Sequence, residues 1–356
     1  MCGDANPMTH PLARDLDEIL ANSSDLWEPL RGHSLFVTGG TGFVGTWLME
    51  SLAWANDKLR LDVHAVLLTR DPEKFRQKAP AVAKHKSFEL LRGECLDFAF
   101  PAGHFRYIIH AATESPRSAT ADSPDATFDI DVQSTRRVLE FAKAAGVHKF
   151  LFTSSGAVYG TQPKDIPGIP EVFAGAPSPM DPKSAYGQAK RASEFLCSMY
   201  ARQFGFDAMI ARLFAFVGPH LSLDGYAVGN FVRDAMIGQP IRIESDGSTV
   251  RSYLYAADMA LWLWTVLLRG ESLKPYNVGS PSPVTVRELA EKVATVAGNH
   301  ARVEVLGRHG VPATRYVPDT SRTQNELGLR AQVSLEESLL RTMEWHRARA
   351  VSAPNN

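Results

Sequence analysis

The chain has 356 residues, with 38 Lys plus Arg against 39 Asp plus Glu and a formal net charge of −1. At roughly 150 residues per domain this is about two domains' worth of chain. Hydrophobic residues make up 44% and charged residues 22%, so the composition is that of a soluble globular protein, and the even charge excludes a broad basic surface for nucleic acid or an anionic membrane.

Residues 1–32 lack a core pattern apart from a short helical stretch around Leu12, Leu16, Ile19 and Leu20, and are expected to form a docking extension. They hold six acids (Asp4, Asp15, Asp17, Glu18, Asp25, Glu28) within the first thirty positions against Arg14 alone. That gives −5 there and leaves +4 for the rest of the chain. The acids stand where a secretory signal would carry a basic patch and an apolar run. His33 to Thr38 is a short apolar run that predicts a buried strand, followed by a glycine-rich loop and a helical pattern through Trp47, Leu48, Ser51 and Leu52. Further strands are predicted at Val63–Thr69, Ser87–Leu91, Tyr107–Ala112 and Phe150–Ser154, with a helix over Val132–Ala145 that stops at Gly146. Alternating strands and helices imply a parallel sheet covered on both faces. Residues 160–182 are rich in Pro, Gly and Asp and read as a loop. A long helix follows from Ser184 to Phe204, stopped by Gly205. Met259 to Leu268 is too short to span a bilayer and reads as a core helix, with Trp262 and Trp264 as packing residues. Thr285 and Glu288 form a capping box, and the last helix is expected over Leu335–Arg347, before a frayed tail.

The fold class expected is α/β: a doubly wound parallel-sheet Rossmann domain over 33–211, completed by parts of 250–285, with a smaller α/β substrate-binding lobe mainly from 212–350 and a tail at 351–356. Cys2, Cys95 and Cys197 are too few and too scattered for a disulfide framework or a closed zinc site. A reducing compartment, and so a cytoplasmic location, is expected. The eleven histidines show no metal-ligand spacing, so no metal is expected.

Gly39, Gly42 and Gly45 are spaced as G-x-x-G-x-x-G between a strand and a helix. Gly39 permits the tight turn, Gly42 lets backbone approach a pyrophosphate at the helix N-terminus, and Gly45 allows close helix–strand packing. The same spacing without a ligand would be a plain turn; the strand–loop–helix context favours a dinucleotide. At the end of the second strand, where an NAD site usually places an acid, the chain reads Thr69-Arg70-Asp71. Thr69 takes the acid's place and Arg70 can pair with a 2′-phosphate, which favours NADP over NAD. The alternative is a solvated Arg70 with Asp71 on the ribose.

Tyr186 and Lys190 lie at i and i+4, on one face of a helix, and Ser155 lies just past the fifth strand, where parallel sheets bind ligands. A neighbouring ammonium is expected to lower the Tyr186 pKa. The phenol would then exchange a proton with a hydroxyl or carbonyl oxygen while Ser155 hydrogen-bonds the same oxygen.

Over residues 33–348 the sequence resembles the extended short-chain dehydrogenase/reductase family, in its nucleotide-sugar epimerase, dehydratase and reductase branch. The resemblance is carried by Thr38 through Gly45, Asp97, Ile109 through Thr113, Ser154 through Gly160, Tyr186 with Lys190, Pro219, Asp246-Gly247, Arg251, Tyr253, Asp258 and Pro318-Asp319. It implies Ser155, Tyr186 and Lys190 as the catalytic set. It implies Asp97 on adenine, Ala111, Ala112 and Thr113 beneath the cofactor, and Thr41, Phe43, Val44, Leu96, Tyr186 and Lys190 as further cofactor contacts. Arg251 is implied as a diphosphate-binding Arg, with Asn230 and Arg308 as weaker substrate matches. Two departures are informative. The resemblance implies an Asp-Glu pair after the catalytic Ser/Thr in dehydratases and the Glu in decarboxylases; here Gly156 and Ala157 stand there, and neither moves a proton. The usual Asn before Val132 is Asp131, and the Asn often found after the Arg-x-Phe segment is Ala215.

The function expected is hydride transfer at C4 of a nucleoside-diphosphate sugar, with 4-keto-6-deoxyhexose reduction slightly ahead of 4-epimerisation. A non-catalytic NADP(H) sensor or scaffold and a reductase for an unrelated ketone are the distant alternatives. The expected partners are a nucleoside-diphosphate sugar and a second copy in a homodimer, with no nucleic acid and no membrane.

Overall fold

A computed structural model describes residues 10–23, 25–113, 123–298, 301–307 and 313–352. In chain order it begins with helix α1 (Ala13–Ala21), β1 (Ser34–Thr38), α2 (Phe43–Leu59), β2 (His64–Thr69), α3 (Pro72–Lys78), α4 (Pro80–Ala83), β3 (Phe88–Arg92), β4 (Tyr107–His110), α5 (Pro124–Ala145), β5 (Lys149–Ser155), α6 (Ala185–Phe204) and β6 (Asp207–Leu213). It continues with β7 (Ala215–Val217), α7 (Ala227–Met236), β8 (Ile241–Ile243), β9 (Val250–Arg251), β10 (Tyr253–Tyr255), α8 (Ala256–Arg269), β11 (Pro275–Val278), β12 (Val284–Thr285), α9 (Val286–Ala297), β13 (Val303–Val305), β14 (Arg315–Tyr316), α10 (Ser321–Leu327) and α11 (Leu335–Ser352).

Seven strands form one parallel sheet in the order β11-β6-β5-β4-β1-β2-β3. The chain steps outward from β1 to β3 and then returns to the other side of β1 through β4. The sheet is therefore a doubly wound Rossmann sheet, and the reversal between β1 and β4 opens the crevice where such sheets bind ligands. Alternation along β1 fixes the two layers. Leu35 and Val37 face a core shared with α1, α2 and α8, and Phe36 faces a second core under α5 and α6. Trp262 and Trp264 on α8 are fully buried in the first core. A third core joins α7, α9 and β8 to Leu339 and Met343 of α11, giving the C-terminal lobe its own packing.

Several sequence expectations shift by a few residues. The helix expected from Val132 begins at Pro124, because a proline is favourable in the first turn and Ser123 precedes it. It still ends at Gly146, which adopts the left-handed conformation (φ 60°). The Thr285–Glu288 capping box forms with both reciprocal bonds. The last helix runs on to Ser352, past Arg347; residues 353–356, expected to fray, lie outside the described residues. Residues 13–30 pack on the back of the sheet. Asp15 accepts hydrogen bonds from Arg341 at 2.5 Å and from Tyr255 at 3.0 Å, and Trp54 donates to Asp17 at 2.9 Å. Among the described residues no helix is long and apolar enough to cross a membrane. Cys95 and Cys197 are both free thiols.

Candidate active site

The glycine loop sits at the β1–β4 reversal. Gly39 has φ 71°, and a Cβ there would lie 2.4 Å from the backbone of Ala111 and Ala112; one on Gly45 would lie 2.2 Å from the Gly39 carbonyl oxygen. Both positions therefore require glycine, because backbone fills the space of a side chain. Gly42 is the N-cap of α2 and donates to the Gly39 carbonyl at 3.0 Å, and no side chain caps the helix. The first-turn amides, including those of Phe43 and Val44, are thus left for an anion. Lys78 braces the loop by donating to the Thr41 carbonyl at 2.7 Å. This geometry fits a dinucleotide pyrophosphate.

Thr69 ends β2 and is buried, and Arg70 beside it is exposed. Asp71 caps α3: its carboxylate accepts from the Lys74 amide at 3.0 Å. Leu96 and Asp97 lie in the exposed turn after the neighbouring strand β3. Ala111, Ala112 and Thr113 leave the end of β4 against the loop.

Ser155 is the last residue of β5, and α6 brings Tyr186 to it. Ser155 and Thr113 flank the Tyr186 hydroxyl, and both act to lower its pKa. The Ala157 amide donates to Ser155 Oγ at 3.1 Å, fixing the serine rotamer. Lys190 is buried. Its ammonium donates to the Thr153 carbonyl at 3.2 Å and stands 4.0 Å from the Asp131 carboxylate and 5.7 Å from the Tyr186 ring. The three expected catalytic residues are therefore brought together.

One expectation about them is corrected. The Tyr186 pKa is not lowered by Lys190; burial pushes it up to about 12, with the Asp131 charge adding to the rise. Desolvation also lowers the pKa of Lys190, and Asp131 acts against that. The cation's effect on the phenol is offset because a carboxylate is packed against it, which the i, i+4 spacing on α6 does not reveal.

Two further residues complete the wall. Tyr316, from β14, places its hydroxyl 3.4 Å from Ser155 Oγ and donates to the Leu213 carbonyl at 3.2 Å. Its ring packs on Phe214 with centroids 4.6 Å apart. A Cβ on Gly156 would lie 2.7 Å from both Phe214 and the Tyr316 hydroxyl. Position 156 is thus filled by two aromatic side chains. Behind the strand, Ser154 donates to Glu194 at 2.6 Å, and Arg212 grips the same carboxylate at 2.9 and 2.7 Å. Phe214 is the phenylalanine of the Arg-x-Phe segment, whereas no sequence pattern marks Tyr316; the one nearby signal is Pro318, two residues beyond it.

Arg251 lies beside Tyr316, with its guanidinium 5.9 Å from that ring. It donates to the Val250 and Thr314 carbonyls and to the Thr314 hydroxyl, and burial lowers its pKa. Its recorded hydrogen bonds are all to neutral oxygens, so its charge is suited to a bound anion. Asn230 spends its carbonyl oxygen on the Gly225 amide at 3.1 Å and so holds the loop before α7. Arg308 lies outside the described residues. Among the described residues no group of three or more His, Cys, Asp and Glu side chains could hold a metal ion.

The family model for the NAD dependent epimerase/dehydratase family matches residues 35–279. UDP-glucuronic acid decarboxylase 6 of Arabidopsis thaliana is 30% identical over 319 residues, covering 87% of this chain and 90% of that protein. Among solved structures, a dTDP-glucose 4,6-dehydratase from Streptomyces venezuelae with NAD bound is 25% identical with a TM-score of 0.75, covering 90% of this chain and 99% of that one. UDP-glucose 4-epimerase from Thermotoga maritima, 24% identical, shares the fold with a TM-score of 0.75 over 89% of this chain and 99% of that one.

Proposed function

The chain belongs to the NAD dependent epimerase/dehydratase family, and from that premise we propose that it exchanges hydride and proton at C4 of a nucleoside-diphosphate sugar, with 4-epimerisation as the net reaction. The observation that carries this reading is the convergence of Tyr186 and Ser155 on one point while position 156 holds no proton-moving group and no room for one. The bound nicotinamide supplies the hydride acceptor and donor. Tyr186 takes the proton of the 4-hydroxyl as C4 is oxidised and returns it after the sugar presents its other face. Ser155 hydrogen-bonds the same oxygen and orients it. Arg251 carries charge toward the diphosphate.

Dehydration and decarboxylation each ask for an additional side chain beside the catalytic serine, which Gly156 and Ala157 do not supply. This is the reason to separate the chain from the decarboxylases it is similar to. A second reading, reduction of a 4-keto sugar, is favoured by one observation. Arg70 is exposed at the end of β2, where a 2′-phosphate of NADP would lie, and a largely reduced cofactor pool suits net reduction. The curated relative's substrate makes a UDP-linked sugar the first class to try.

The test is incubation with UDP-hexoses and UDP-hexuronic acid, each with NAD or NADP, and identification of the product by NMR. Interconversion of C4 epimers without net cofactor use supports epimerisation. Stoichiometric consumption of reduced cofactor on a 4-keto substrate supports the second reading. Release of carbon dioxide from the uronic acid overturns both.

The homodimer is proposed from one surface. On α6, Phe195 is 66% exposed and Met199 40%, one turn apart, and Phe128 on the adjacent α5 is 36% exposed. Apolar side chains grouped on two paired helices suit a helix-bundle contact between copies.

A further inference from the structure

We propose that Lys78 is a positioning residue for the dinucleotide, fixing the glycine loop through the Thr41–Gly42 peptide and supplying a positive charge for the pyrophosphate there. This rests on the reading of that loop as the dinucleotide site, and it adds a residue that lies outside the glycine motif.

Lys78 ends α3, a helix that begins at Pro72, two residues past Arg70 at the end of β2. A lysine in a last turn ordinarily turns to the open carbonyls of its own helix. Lys78 instead reaches across 37 positions, and its ammonium donates to the Thr41 carbonyl at 2.7 Å. The same peptide unit is held at its other end, where the Gly42 amide donates to the Gly39 carbonyl at 3.0 Å. A peptide that accepts from a cation is polarised, and the bond its amide donates is strengthened. The next carbonyl is held too: Gly42 accepts from the Thr46 amide at 2.9 Å and from the Thr46 hydroxyl at 2.6 Å. The turn is therefore fixed on both sides of Gly42, directly before the first-turn amides of α2. Those amides bind an anion only while they point at one place, so a fixed turn pre-orders the site.

The charge of Lys78 points the same way. Its side chain is half-buried. Burial lowers its pKa, and the charged groups acting on it, Lys74 of α3 and Arg349 of α11, are cations that lower it further. Among the described residues no carboxylate forms an ion pair with it. A partly desolvated cation between two others is unfavourable by itself. A pyrophosphate brings two negative charges to the loop that Lys78 holds and reverses that imbalance, so the ammonium contributes to cofactor affinity. The pyrophosphate is common to NAD and NADP, which separates Lys78 from Arg70 at the end of β2.

The test is Lys78→Met, which keeps the apolar stem and removes the charge and the donor, beside Lys78→Arg, which keeps both. Dissociation constants for NAD and NADP are measured by isothermal titration calorimetry on the full-length protein. Lys78→Met is expected to bind each dinucleotide that the parent binds about tenfold more weakly, and Lys78→Arg to recover most of that loss. A loss below about threefold overturns the proposal, being less than a charge-assisted bond supplies. An Arg variant that binds no better than the Met variant also overturns it, because the charge would then not be the cause. So does a loss confined to NADP, which would place Lys78 at the 2′-phosphate. If Lys78→Met melts early, Lys78→Gln is read by the same criteria. A parent protein that binds neither dinucleotide overturns the cofactor reading and this proposal together. A parent that binds, with variants that match it, overturns this proposal alone.

Discussion

The hydroxyls of Tyr316 and Ser155 stand 3.4 Å apart although 161 positions separate them in the chain. The Tyr316 hydroxyl also donates to the Leu213 carbonyl. Tyr316→Phe keeps the ring packing on Phe214 and removes two hydrogen bonds, each worth about 0.5–1.5 kcal/mol. The expected outcome is a fall in kcat of up to about tenfold with little change in KM, since the loss falls on the orientation of Ser155. Steady-state kinetics on the substrate found above checks it; a change confined to KM would place Tyr316 in substrate binding.

Tyr186→Phe should lower kcat at least about a hundredfold, the scale of a lost general acid–base group. The pyrophosphate-binding amides belong to the glycine loop at the start of α2, and Phe keeps the ring of Tyr186, so cofactor affinity should be nearly unchanged. Cofactor titration by fluorescence alongside turnover separates the two, and full activity in the variant would remove Tyr186 from the mechanism.

Arg70→Ala should weaken NADP more than NAD. Arg70 is exposed at the end of β2, and a charge-assisted bond to a 2′-phosphate is worth about 1.5–3 kcal/mol. Dissociation constants for both cofactors give the answer. Equal losses would mean that Arg70 does not read the 2′ position.

Phe195→Glu should shift the protein from dimer to monomer while leaving its melting temperature almost unmoved, because the side chain is largely exposed within the chain. Sedimentation velocity at several concentrations distinguishes this from an interface elsewhere, for which the variant would sediment as the parent does.

Residues local in sequence were legible from it. The glycines of the phosphate loop, the Gly146 and Gly205 stops and the Thr285–Glu288 box each act through backbone within a few positions, so their spacing carries the physics. Ser155, Tyr186 and Lys190 were legible because a strand end and an i, i+4 pair are local features of a parallel α/β chain. Tyr316 was not: it reaches the site from β14, and no periodicity distinguishes it from core aromatics. The upward shift of Tyr186 is not legible either, since burial by the surrounding elements is its main cause and the Asp131 carboxylate that adds to it comes from α5.

The sequence by itself determined the doubly wound sheet, the glycine loop between β1 and α2 and the pairing of Tyr186 with Lys190 on one helix face, because strand burial, helix stops and tight turns depend on neighbouring residues. Only the tertiary structure decided the electrostatic balance of that pair and the closing of the space beside Ser155. Charge interactions and excluded volume depend on distance in space, and folding brings Asp131 to 4.0 Å from Lys190 and two aromatic rings over Gly156.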